Sequence, residues 1–185
     1  KAEEDLLQSR QNLADMVSWK NSIFNVPAVA ILVVTADRII TDVNSGFVQM
    51  FGYEKSEVLG QSVGVIHISP ESSRAFGEQY WSNAAREKTV TVEWRLRRNS
   101  GEEFWCALSG SAIDQNDLSK GVVWVILDVT ERKRMEEEVK TSEKRFRGYF
   151  ENSQVCMSMT HPDKGWIEVN PKLVDMLGYT LEELR

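Results

Sequence analysis

Few side chains in this sequence could do chemistry, and their neighbours decide how each is read. His67 is the sole histidine ahead of His161, and an imidazole can hold a haem iron. It sits just before Ser69-Pro70, which reads as a helix start, so a structural role is expected of it. His161, followed by Pro162 in a turn, is weaker still as a ligand. Cys106 falls in a run that reads as a strand, where a thiol is a small buried apolar group and not a nucleophile. Tyr80, Trp81, Trp94 and Trp124 are the aromatics expected to line a pocket for a planar ligand, while core packing explains most of the indoles. The small residues Ala107, Ser109, Gly110, Ser111 and Ala112 leave space, for a ligand inside or for a helix packed outside.

Catalysis finds no support. Neither paired carboxylates in a helix context, nor a Ser-His-Asp set, nor a metal cluster emerges, so no catalytic or metal-binding residue is expected. A net charge of −6 and a pI near 5.1 oppose attraction to phosphate backbones, which argues against nucleic acid as a partner. Two cysteines cannot build a framework of bridges and suit a reducing compartment, read here as the cytoplasm. No run approaches the roughly 18 apolar residues of a spanning helix, so membrane contact is not expected within these residues. A longer parent protein could be anchored elsewhere.

The elements that must position these residues occur twice. Asp42-Val43-Asn44 and Glu168-Val169-Asn170 each precede a short apolar run that ends in Gly52-Tyr53 or Gly178-Tyr179, and the two sets lie 126 positions apart. This is a tandem repeat with one full copy and the opening of a second. Together with a first residue that is not Met, it is expected of a segment of a longer protein. The boundaries read as a leading amphipathic helix (1–24), a first domain (25–130), a linker helix (131–147) and the start of a second domain (148–185).

Within the first domain, the Val-rich run 28–35 and the run 39–43 read as a hairpin. Asn44 is a good N-cap for a helix over 45–51, which Gly52 can close in the left-handed conformation. Ser69-Pro70 starts a longer helix expected to reach Arg86. Val90, Val92, Trp94 and Leu96 alternate with polar residues, Asn99-Ser100-Gly101 turns the chain, and strands follow over 104–113 and 122–127. The class is therefore α+β, with an antiparallel sheet and helices on one face. Leu6 and Leu13 in the leading helix, and Met135, Val139, Ser142, Phe146 and Tyr149 in the linker, follow heptad spacing and read as seams of a homodimer. A hairpin and short helices alone are marginal in water, so the second copy is expected to need a further surface.

The Asn44 cap, Gly52-Tyr53 with Glu57-Val58-Leu59-Gly60, the hairpin Trp94 to Gly101, and the exit Asp128-Val129-Thr130-Glu131-Arg132-Lys133 together resemble the PAS sensor module with its C-terminal PAC motif. The resemblance implies a PAS fold, a five-stranded antiparallel sheet cupped around a small cavity. It implies a sensor of a small ligand or cofactor that dimerises and relays its state through the exit helix to an output domain in the same chain. Asp128 and Thr130 are the implied relay residues. A histidine kinase is the implied output, with a diguanylate cyclase, a transcriptional regulator or a ligand-free relay module as alternatives. Neither histidine here carries the Glu and Arg of a kinase phosphoacceptor helix. Haem and covalently bound flavin are not expected: no axial histidine is evident, and the stretch 60–69, where related flavin sensors carry a reactive cysteine, has none.

Overall fold

The computed structural model describes residues 2–81 and 89–184 and divides the chain into two units, 1–131 and 132–185. The first opens with helix α1 (Ala2–Phe24), on which Leu13, Met16 and Trp19 stand exposed; the side chain of Leu6 lies outside the described residues. Pro27, with a fixed φ and no amide hydrogen, bars the helix from continuing.

Strand β1 (Ala30–Val34) turns through Thr35–Arg38 into β2 (Ile40–Val43), and the Arg38 amide donates to the Thr35 carbonyl at 2.9 Å. Arg38 holds φ at 64°, a left-handed conformation that costs a side-chain-bearing residue roughly 1–2 kcal/mol. Helices α2 (Ser45–Phe51) and α3 (Lys55–Val58), a 3₁₀ turn (Val63–Ile66) and α4 (Pro70–Phe76) follow. The expected caps are present. The Asn44 side chain accepts from the Phe47 amide, Gly52 closes α2 at φ 74°, and Ser69 caps α4 with Pro70 at its first turn. The long helix expected to reach Arg86 instead changes to a π-turn over Gly77–Trp81, and residues 82–88 lie outside the described ones.

Strands β3 (Val90–Arg97), β4 (Glu103–Ala112) and β5 (Val122–Asp128) complete a five-stranded sheet of order β2-β1-β5-β4-β3 in which every pair is antiparallel. The α+β architecture matches the expectation. Ala30, Leu32 and Val34 of β1 meet Phe47, Phe51, Val58, Ile66 and Phe76 from the helical segment in one core. Phe47 and Phe51 are fully buried and stacked at 4.6 Å, and each contributes about 2–3 kcal/mol by burial.

Helix α5 (Thr130–Asn152) leads into the second unit, longer at its C-terminal end than the expected linker helix. Met135, Val139, Phe146 and Tyr149 lie exposed along it. A hairpin of β6 (Ser158–His161) and β7 (Gly165–Val169) follows, then α6 (Pro171–Leu177) and α7 (Leu181–Leu184). No helix among the described residues is long and apolar enough to cross a membrane.

Candidate functional site

The sheet and the helical segment of the first unit enclose a small cavity. About 20 Å³ of it is open to the centre of a water molecule, room for water or for an organic molecule of a few heavy atoms. A haem or flavin ring system would require the walls to part. Leu32, Leu96, Leu108 and Ile126 supply apolar wall from the sheet, and Phe76 and Trp124 supply aromatic wall. Arg38 and His67 are its polar members.

His67 follows the 3₁₀ turn and is fixed there by its amide, which donates to the Gly64 carbonyl, and by a β-bridge to Leu96. Only 2% of it is exposed, its ring lies 5.3 Å from that of Phe76, and its buried Nδ1 has no hydrogen-bond partner among the described residues. Burial, reinforced by the charge of Arg38, lowers its pKa to about 4, so the imidazole is neutral at pH 7. The half-buried Arg38 guanidinium donates from Nη2 to Ser73 Oγ at 3.0 Å, and burial lowers its pKa too. A Cβ on Gly77 would come within 2.5 Å of Arg38 Nη1, so the glycine makes room for the guanidinium where α4 becomes the π-turn.

Of the four aromatics expected to line a pocket, Trp124 does. Tyr80 and Trp94 are not on the wall of this cavity, and Trp94 instead lines a separate, open surface pocket with Ile68, Ser72 and Trp105. Their rings pack against Phe76 at 5.4 and 5.6 Å, Phe76 lines the cavity in their place, and the Trp94 indole donates to Ser72 Oγ at 3.1 Å. The side chain of Trp81 lies outside the described residues. The space expected along the small residues of β4 is taken at Gly110 by the Trp124 ring, whose atoms would stand 2.7 Å from any Cβ there. Cys106 is fully buried, and burial, with the charge of Asp128 adding to it, pushes its thiol far up. It is a neutral packing group.

At the exit, Asp128 accepts from the Thr130 amide at 2.9 Å, and the Thr130 hydroxyl accepts from the Trp105 amide at 3.1 Å. Burial raises the Asp128 pKa, but hydrogen bonds from Thr130 and Arg98 outweigh it and hold the carboxylate ionised. Arg98 is the partner that sequence reasoning placed only in a hairpin motif. Its Nη2 meets Asp128 Oδ2 at 2.6 Å, its Nη1 donates to the Met50 carbonyl, and its guanidinium lies 3.9 Å from the centre of the Phe104 ring. One side chain thus joins the end of α2, the β3–β4 hairpin and the exit to α5. No set of three His, Cys, Asp or Glu suited to a metal is present among the described residues.

Over residues 28–131 the sequence matches the family model described as PAS domain. It is 33% identical over 106 residues to the sensor protein TdiS of Thauera aromatica, covering 57% of this chain and 19% of that protein. The chain therefore spans about a fifth of that relative's length. The PAS domain of a LuxR-family transcriptional regulator from Burkholderia thailandensis, solved in complex with ethanol, superposes with a TM-score of 0.53 at 23% identity, covering 58% of this chain and 95% of that one. A sensory box histidine kinase/response regulator from Burkholderia thailandensis gives 0.51 at 24% identity, over 65% of this chain and 92% of the other. These two likenesses establish the fold.

Proposed function

The chain belongs to the PAS domain family, and from that premise we propose that residues 28–131 are the ligand-sensing module of a longer, cytoplasmic signalling protein. The observation that carries the reading is a buried imidazole with an unpartnered Nδ1 on the wall of a small cavity. A buried polar atom without a partner costs roughly 1–3 kcal/mol, which a bound molecule would relieve. The ethanol in the Burkholderia domain is a molecule of the size that suits such a cavity. Occupancy would act on the walls formed by β1, β5 and α4, and the Arg98–Asp128 pair ties β5 to α2 at the exit.

The proposed relay runs from Asp128 and Thr130 into α5. There the exposed Met135, Val139 and Phe146, with Leu13 and the heptad partner Leu6 on α1, would form the seams of a homodimer. The proposed output, in the same chain, is a histidine kinase, in keeping with the sensor protein from Thauera aromatica; the LuxR-family relative supports a transcriptional regulator as the alternative. A second reading, a ligand-free dimerisation and relay module, draws on the Trp124 ring that fills the space at Gly110. Absorbance of the purified chain above the aromatic band, with mass spectrometry of a denatured extract, separates the two. A stoichiometric small molecule is the expected result. An empty extract, with no thermal stabilisation by any small molecule tried, would leave the ligand-free reading.

A further inference from the structure

The polar members of the cavity wall share one chemistry. Arg38 carries a positive charge with no carboxylate partner among the described residues, and its one side-chain hydrogen bond goes to a hydroxyl. His67 on the same wall carries a buried nitrogen that has no hydrogen-bond partner among the described residues, and the remaining wall is largely apolar. A half-buried guanidinium without a counter-charge is costly, and the surroundings that hold it are specific. The strained backbone at Arg38 aims the side chain inward from the β1–β2 turn, Gly77 leaves room for it, and Ser73 orients it. An alcohol would satisfy the imidazole and leave the charge uncompensated. A carboxylate would satisfy both, since guanidinium and carboxylate form charge-assisted hydrogen bonds and the second oxygen can accept from an imidazole N–H.

We propose that the cavity takes a small aliphatic carboxylate, of about the size of acetate or propionate. Its oxygens would meet Arg38 and His67, and its alkyl end would lie against Leu108 and Ile126. The inference rests on the ligand-sensing reading and narrows it to an anionic ligand. Residues that specify charge sit on the β1–β2 turn and after the 3₁₀ turn, while residues that limit size sit on β4 and β5.

The test uses the full chain, titrated with sodium acetate and propionate and, in parallel, with acetamide, ethanol and 1-propanol, against sodium chloride at matched ionic strength. Thermal unfolding and the His67 side-chain ¹⁵N resonances are the readouts. Acetate or propionate should bind saturably, raise Tm and shift the His67 nitrogens, with at least tenfold weaker affinity for acetamide. Arg38→Met should lose carboxylate binding by tenfold or more while keeping any alcohol binding. Should that variant fail to fold, the His67 resonance shift in the unmodified chain still decides. Alcohols that bind where carboxylates do no better than chloride would overturn the anionic assignment and leave a ligand-sensing cavity standing. No binding by any probe would overturn both.

Discussion

The two copies of the repeat carry the same local structure in different surroundings. Asn44 and Asn170, 126 positions apart, are both fully buried, and each accepts at Oδ1 from two amides: Ile31 and Phe47 in the first copy, Met157 and Leu173 in the second, which again differ by 126. Gly52 and Gly178 end the following helices at φ 74° and 76°. The Glu54–Glu57 capping box has its counterpart in Thr180–Glu183. Beyond these local bonds the copies part. Strand β1 lies between β2 and β5 and buries alternate residues, while among the described residues β6 pairs with β7 alone and is exposed throughout. Asn44 Nδ2 donates to the Val29 carbonyl as Asn170 Nδ2 does to that of Val155, again 126 positions on, but Asn44 Nδ2 also reaches back to the Phe24 carbonyl at 2.8 Å. The position of Pro27 holds Ser153 in the second copy, and α5 runs two residues beyond the point where α1 stops. Caps and turns are thus written in a few adjacent residues, but burial has to be supplied by strands far along the chain.

The largest expected effect sets Phe51 against its counterpart Leu177. Phe51→Ala removes a fully buried ring and should cost about 3–5 kcal/mol, whereas Leu177→Ala, at a side chain 39% exposed, should cost under about 1 kcal/mol. Denaturant unfolding gives the first value, and amide exchange in α6 the second. Equal costs would mean that the second copy has a closed core of its own.

The first copy should also show a pH dependence of its own. The pKa of His67 in the fold is about 4 against an ordinary 6.5, with burial and Arg38 both opposing the charged form. A neutral histidine costs nothing above pH 6.5. Below that the unfolded chain takes up the proton first, so stability falls as pH drops toward 4, by about 3 kcal/mol in all. His67→Gln should remove that part of the slope, read as the difference between the two proteins' urea unfolding curves at pH 7 and 4. Parallel losses in both would show that the imidazole is not held neutral.

Smaller again is the contrast of the two asparagines. Asn44→Ala breaks a cap, the bond to the Val29 carbonyl and a tie to α1 and should cost about 2–3 kcal/mol, against about 1–2 kcal/mol for Asn170→Ala, which loses the cap and the matching bond to the Val155 carbonyl. The smallest effect should be the most even. Gly52→Ala and Gly178→Ala each place a side chain at a left-handed φ with open or ordinary space around it, and each should cost about 1 kcal/mol. Unequal values there would show that even the helix ends depend on the wider fold.

Sheet, caps and hairpins could be read from the sequence because each rests on neighbouring residues: strand alternation over 90–97, Asn44 three residues ahead of Phe47, Ser69 ahead of Pro70. The cavity could not. Gly110 and Trp124 meet because β4 and β5 pair in that register, so at Gly110, one of the small residues read as leaving space for a ligand or a packed helix, an indole stands instead. Arg38 reaches Ser73 and Gly77 only once the chain has crossed from β2 through four helical segments, and nothing around Arg38 in sequence marks it as facing inward. His67 was read from its place before a helix start, which located its backbone and gave no sign of an unpartnered nitrogen. Arg98 was visible only as one residue of a hairpin, since its partners Met50 and Asp128 lie far to either side.

Helix α5 has 23 residues, and at 1.5 Å per residue it is a rod about 34 Å long. Its first turn is pinned by Asp128, Thr130 and Arg98, and a pinned rod is a lever. A tilt of about 10° at that pivot would carry the far end through roughly 6 Å, about one helical turn, for a shift of at most about 1 Å in the first turn. Under the proposed relay, a change in the strength of the Arg98–Asp128 pair would be converted into a displacement large enough to change which residues meet at the other end.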